Sequence, residues 1–290
     1  MTTQTSNTGG LAAASRELIT AARSAEEHNT PSKQLVAQFT LPQGHDTGIF
    51  PHFGRMQVDN LTEGEEIVEA QDLGMTSVSA APSEVGGKVI MTDRLLARNV
   101  AVNFRSAGRQ LGNAQGRKEE QDVNSLFSGL NGGTSFGAAG AFFSAANAVG
   151  CIGRAVSARM GDNLRVVVHP NSLLRLSRDL NVIGAGAAQP LDSGFSVERL
   201  RRFYTGIQLN MVPFFQTGEI TVDSSDDGIG AIFDVDAMGF LTEKAWATEK
   251  QRQATLRAWV LVVVSSYVAF EMDDALGAPL TYDAATPATA

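Results

Sequence analysis

The chain has 290 residues, 43% of them hydrophobic, with a single cysteine and a formal net charge of −8. That length and apolar content allow one large domain with appendages, or two modest domains, and exclude a small stapled module. Lone Cys151 rules out an internal disulfide framework or a multi-cysteine zinc site within one chain, and reads as a buried structural thiol. The acidic balance argues against strong non-specific nucleic-acid binding, which rests on neutralising phosphates with Lys and Arg.

The first forty or so residues are rich in Thr, Asn, Ser and Ala, with one weak helical stretch over 11–27 that ends before Pro31. They read as an arm. They lack the basic start and apolar stretch of a secretory signal, and the longest apolar run, 258–270, is too short to span a bilayer. The expectation is a chain that folds in a cytoplasm and does not enter a membrane. Residues 47–56 carry Phe50, Pro51, His52 and Phe53, and polarity then rises sharply through DNLTEGEE at 59–66. Short alternating pieces, TSVS at 76–79 and KVIM at 88–91, flank Gly-bearing turns and predict an extended two-stranded excursion. A ribbon with so little core of its own wants a partner chain.

A long helical pattern follows, opening at Thr92-Asp93 and closing on Asn131-Gly132-Gly133. Asp93 suits the N-cap and the positive end of the helix dipole, and the Gly pair supplies the left-handed stop. Val100, Phe104, Ala107, Leu111, Ala114, Leu126, Phe127 and Leu130 form an apolar stripe at helical spacing. An unbroken helix over 93–130 would be a spine about 50 Å long. Gly108, Gly112 and Gly116 recur four apart, each costing about 1 kcal/mol relative to Ala in an exposed helix interior. They imply close approach of a neighbouring backbone, a bend, or a helix interrupted there. Arg94, Arg98, Arg105, Arg109, Arg117 and Lys118 lie on this segment with no acidic residue between them. A DNA-facing stripe, a solvated face and subunit salt bridges are all open readings of that run.

Beyond Gly133 the texture changes to Gly, Ala and Phe, and 138–160 predicts a second helix whose small surface residues permit close packing. NLRVVVH at 163–169 is a buried-strand signal, and Pro170-Asn171-Ser172 leads into a helix over 173–180. Residues 196–204 predict a helix, and 207–213, 219–223 and 231–234 predict strands. The stretch 242–257 is polar and charged, 258–270 is an apolar strand or helix, and 276–282 is a short terminal strand. The class is α+β.

No catalytic, cofactor-binding or metal-ligating residue is assigned. His28, His45, His52 and His169 are scattered, and none stands at a ligand spacing with a carboxylate. A nucleophile elbow, a phosphate loop and a dinucleotide fingerprint are absent, and the glycine-rich 132–140 lacks the Lys-Ser or Lys-Thr of a phosphate loop. Asp223, Asp226 and Asp227 in VDSSDDG miss the calcium-loop spacing and read as a solvated turn. His169 before Pro170 has no candidate nucleophile nearby in sequence and reads as structural.

Taken in order, several segments resemble the tailed-bacteriophage major capsid proteins of the Hong Kong 97 fold. LTEGEEI at 61–67 is similar to the acidic Glu-Gly element near their extended loop, and PSEVGGKVIMTDRLL at 82–96 resembles the return strand into their spine helix. EEQDVNSLFSGLNGG at 119–133 looks like the close of that helix, and NLRVVVHPNSLLRL at 163–176 like the strand, turn and helix of the axial domain. ATEKQRQATLRAWVLVVVSSYVAFEMDDALGAPL at 247–280 is similar to the late segment that closes the fold. The resemblance spans about 61–280, and it rests on the order of individually loose motifs.

The resemblance implies an N-terminal arm at 1–50, an extended loop at 51–91, a peripheral domain from 92–133 with 242–271, and an axial domain from 134–241 with 272–290. It implies a structural, non-enzymatic protein without cofactor that assembles with itself through pentamers and hexamers into an icosahedral head shell in the host cytoplasm. Implied partners are a separate scaffolding protein, a portal, a decoration protein where the shell carries one, and packaged double-stranded DNA in non-specific contact. Some family members weld their shells through a lysine on the extended loop, but 56–87 here contains none and Lys88 sits near the loop's base. A non-covalent shell is expected. The arm is also too short for a built-in scaffolding domain of about a hundred residues. An encapsulin-type compartment sharing the fold, and a mixed α/β enzyme using residues such as His169 and Asp223, are the alternatives.

Overall fold

The computed structural model describes residues 31–52, 74–94, 100–186 and 207–286. One sheet has four strands in the order β1 (Ala37–Thr40), β9 (Met238–Gln253), β10 (Ala258–Glu271), β4 (Ser83–Thr92). β9 and β10 form a long antiparallel hairpin, β4 pairs with β10 over ten positions, and β1 runs parallel to the start of β9. Along β10, Leu261, Val263 and Tyr267 are buried on one face, while Val268 and Phe270 point to the other. That is the period of two expected of a strand with partners on both faces. It also decides the 258–270 segment as strand rather than helix.

On the first face lies the spine, helix α2 (Val100–Ser125). Leu111 packs with Met91, Leu261 and Val263, and a Cβ at Gly87 would stand 3.1 Å from Leu111 Cδ2, so that strand glycine admits the helix. Gly108, Gly112 and Gly116 are all buried in an unbroken helix, which favours close approach over interruption. Two details correct the expected rod. Ala114 is exposed; its place inside is taken by Gln115, because the buried face continues through polar residues. The α-helix ends at Ser125, and Leu126–Ser128 and Leu130–Gly133 tighten into 3₁₀ turns. The stop itself is as expected, with Asn131, Gly132 and Gly133 at φ 53°, 59° and 75°. Asp93 and Arg94 are helical, and Val100 and Phe104 of the expected stripe have side chains outside the described residues.

The second sheet has five strands in the order β11 (Gly277–Asp283), β8 (Asp227–Phe233), β5 (Arg165–Val168), β7 (Val212–Gln216), β6 (Ile207–Leu209). Val166, Val168 and Ile232 enter a core with α3 (Ala145–Ser157) and α4 (Pro170–Gly186), whereas Val167, Ala231 and Phe233 enter a second core with Phe127 and Leu130 at the spine's end. Burial on both faces explains why RVVV is an uninterrupted apolar run.

Other expectations shift for local reasons. α3 begins only at Ala145, where Ser144 caps it by accepting from Asn147 N, so 138–144 is not helical. The predicted strand over 207–213 is broken by a turn at Asn210-Met211, and 219–223 contributes only an isolated bridge from Val222 to Gly228. The polar stretch 242–257 is largely β9, its strand character imposed by cross-strand pairing with β10. A third, two-stranded sheet joins β2 (Gly48–His52) to β3 (Thr76–Ala80). The pieces 76–79 and 88–91 therefore do not pair with each other: the first pairs with β2, the second lies in β4 on β10. The helices expected over 11–27 and 196–204 fall outside the described residues.

Candidate functional site

The polar residues buried in the spine mark where the arm enters. Helix α1 (Pro31–Leu35) lies against α2, with Ser32 and Glu120 both fully buried. Ser32 N donates to Glu120 Oε2 at 3.0 Å, and Ser32 Oγ lies 2.6 Å from Glu120 Oε1 and 3.0 Å from Asn124 Oδ1. A hydroxyl has one proton, and the shorter, charge-assisted contact takes it. Burial pushes the Glu120 carboxyl above its ordinary range, and hydrogen bonds from Ser32 and Thr217 partly offset this. Lys33 Nζ meets Glu119 Oε2 at 2.9 Å and sits 4.9 Å from the centre of the Phe240 ring. Gln115 Nε2 donates both to Glu119 Oε1 and to Ser265 Oγ of β10, each at 2.7 Å. Tyr267 donates to Asp122 Oδ2 at 3.0 Å; burial and the Asp122 charge raise its hydroxyl pKa. Below, Leu35 and Val36 enter the second core and Arg165 Nη1 donates to Leu35 O at 2.7 Å. The arm is thus bolted to spine, long hairpin and five-stranded sheet together.

Among the described residues the ribbon is fixed at its base. Phe50 packs between Phe39 and Phe270, its ring tilted against both with centres 4.7 and 4.6 Å away, on the sheet face opposite the spine. A Cβ at Gly48 would lie 3.0 Å from Leu241 Cδ2, so a glycine lets the ribbon sit this close. His52 Nδ1 lies 3.5 Å from Asp273 Oδ2. Ile49, on the outer side, is 69% exposed, and residues 53–73 lie outside the described residues.

The groups weighed for chemistry are engaged structurally. Asp223 Oδ1 accepts from Ser225 N and Asp227 N, and Asp227 Oδ1 accepts from Gly140 N at 2.7 Å, so the VDSSDDG turn uses its carboxylates to fold itself. Asp226 is exposed at φ 63°. His169 Nδ1 accepts from Asn171 N, and burial lowers its pKa. Cys151 is buried with Sγ 3.0 Å from Tyr282 Oη, and burial raises its thiol pKa, the reverse of an activated nucleophile. Among the described residues no three His, Cys, Asp or Glu side chains gather as a metal site. His45 is exposed, and His28 lies outside the described residues. A cleft of about 510 Å³ beside Pro31 is lined by Asn113, Arg117, Gln216, Thr217, Gly218 and Glu219. Of the basic run, Arg94, Arg109, Arg117 and Lys118 are exposed, with Lys118 paired to Asp122, while the side chains of Arg98 and Arg105 lie outside the described residues.

What this arrangement does chemically is hold chain segments. The anchor residues Ser32, Lys33, Gln115, Glu119 and Glu120 were not singled out from sequence; the available signal was Gln115 and Glu119, four apart and in phase with Leu111 and Val123 on an otherwise apolar face.

No protein-family model and no curated protein matches the chain. Solved structures do. The cyanophage Pam1 capsid subunit superposes with a TM-score of 0.63 at 13% identity, covering 84% of this chain and 87% of that one. The capsid of cyanophage P-SCSP1u gives a TM-score of 0.61 at 13% identity, with 87% of each chain covered. The SrpI encapsulin of Synechococcus elongatus gives 0.59 at 11% identity, with 89% of each covered. The chain has the Hong Kong 97-like capsid fold, as its segment order led one to expect.

Proposed function

We propose that this chain is the major capsid protein of a tailed double-stranded DNA bacteriophage, assembling through pentamers and hexamers into an icosahedral head shell that encloses the genome. The observation that carries this is the likeness to phage capsid subunits along nearly the whole of both chains. The anchors support it: buried contacts fix the described bases of arm and ribbon to the body of the subunit. In this reading 1–50 is the arm, 51–91 the extended loop, 92–133 with 242–271 the peripheral domain, and 134–241 with 272–290 the axial domain. The chain works by association rather than catalysis, first in the host cytoplasm and then in the virion. It is served by a separate scaffolding protein, a portal and, where present, a decoration protein. The net charge of −8 suits a container, because a lining without strong positive charge does not hold back DNA that must leave.

Purified alone or with its scaffold, the protein forms shells or capsomer rings by negative-stain microscopy, with a salt dependence set by screening of like charges over roughly 8 to 10 Å. A monomer at high concentration in every salt condition overturns the proposal. The likeness to the SrpI encapsulin supports a second reading, a compartment around a cargo enzyme. Particles that co-purify with a cargo protein and no DNA would decide for it.

A further inference from the structure

A cleft of about 510 Å³ opens at the head of the arm anchor, where Pro31 begins α1. Its volume falls within the range of pockets that enclose a ligand, about 300 to 1,000 Å³. The spine lines it through exposed Arg117, and the turn that follows β7 lines it through Thr217, Gly218 and Glu219. Buried Thr217 hydrogen-bonds to Glu120, the carboxylate that holds Ser32, so the cleft continues directly from the anchor. Its walls carry charge that the described residues leave unneutralised. Arg117 donates through Nε to Asn113 O of its own helix, and among the described residues no carboxylate forms an ion pair with it. Glu219 Oε2 accepts from the neutral Gln121 amide at 2.9 Å. A Cβ at Gly218 would meet nothing within 4 Å, so the turn leaves room beside it.

We propose that residues 26–30 of the arm, Glu-Glu-His-Asn-Thr, occupy this cleft on their own subunit, with Glu27 paired to Arg117. Pro31 is both the first residue of α1 and part of the cleft wall, so the chain before it starts at the cleft. A proline drives the residue before it towards extended backbone, and four extended residues reach at most about 14 Å, enough to carry Glu27 across an opening of this size. Glu26 and Glu27 are the acidic residues nearest Pro31 on its N-terminal side, which matches the charge of Arg117. Asn29 and Thr30 bring donors for Glu219. The docking lengthens the buried anchor by one turn of chain and holds for a single subunit, so it does not depend on the shell reading.

The test uses dissociated subunits of the full chain. On oxidation, His28→Cys combined with Gly218→Cys closes a disulfide loop within one chain, seen as a faster-migrating monomer in non-reducing denaturing electrophoresis. His28→Cys combined with Ala114→Cys, an exposed spine position outside the cleft wall, does not. Separately, Arg117→Glu speeds hydrogen exchange of peptides covering 24–30 about fivefold, the effect of one exposed ion pair, and adding Glu27→Lys brings it back to within about twofold of wild type. Exchange of β10 stays unchanged, which shows that the variants are folded; if it does not, the cross-link alone decides. Equal closure by both cysteine pairs, the mark of a tether that rests nowhere, overturns the proposal, as does exchange over 24–30 that Arg117→Glu leaves unchanged in a folded variant. Disulfide-linked dimers in place of the closed loop give the cleft to the arm of a second copy and overturn the intrachain docking.

Discussion

Ser32→Ala tests whether the arm is held by the buried carboxylate of the spine. The substitution deletes the hydroxyl 2.6 Å from Glu120 Oε1 and keeps the backbone N–H 3.0 Å from Oε2. Glu120 is fully buried, so no water replaces the lost donor. A hydrogen bond to a charged group contributes about 1.5 to 3 kcal/mol, so the docked arm should lose about 2 kcal/mol. If arm docking opens independently of global unfolding, that raises the undocked population roughly thirtyfold. Hydrogen exchange of peptides covering 31–41 in dissociated subunits should accelerate by that factor, while peptides from β10 stay unchanged. Ser32→Thr, which keeps the hydroxyl, should restore most of the protection. Exchange in 31–41 within about twofold of wild type would refute the argument that this contact holds the arm.

The same carboxylate sets a pH dependence. Its pKa is raised on folding above the unfolded value near 4.5, so the native state binds the proton more readily, and stability falls as pH rises from there through the folded-state pKa. Glu120→Gln removes this loss, because a neutral amide still accepts from Ser32 and can donate to Thr217; its advantage over wild type in denaturant melts should grow with rising pH, and a parallel pH profile counts against the assignment. Phe50→Ala takes the wedge from between Phe39 and Phe270 and should cost about 2 to 4 kcal/mol, measured by denaturant unfolding, with β2–β3 exchanging faster than β9. Denaturing electrophoresis of mature particles should give a single monomer band, since 56–87 lacks lysine; higher species would show covalent welding by another route.

Much of the helix-to-sheet order could be read because it is local chemistry. The stop at Asn131-Gly132-Gly133 needs only residues that tolerate positive φ, RVVV is a strand buried on both faces, and 258–270 carries an apolar load that only an interior element can bear. The pattern fails where burial is imposed from afar. Gln115, Glu119 and Glu120 are polar by any count of residues, yet they are buried because Ser32, Lys33 and Ser265, up to 150 positions away, satisfy them. β9 looks like a solvated stretch because its distal half is a mostly exposed strand, and its partner β10 supplies the hydrogen bonds that make it one. The ribbon's pairing is hidden for the same reason: alternation identifies a strand but carries no record of which strand lies beside it. Sequence alone therefore determined the spine and its end, the RVVV strand and the order of segments that matches a shell subunit. Only the tertiary structure decided which polar groups are buried together and which strands pair. Those depend on partners distant in sequence, and neither periodicity nor local propensity extends that far.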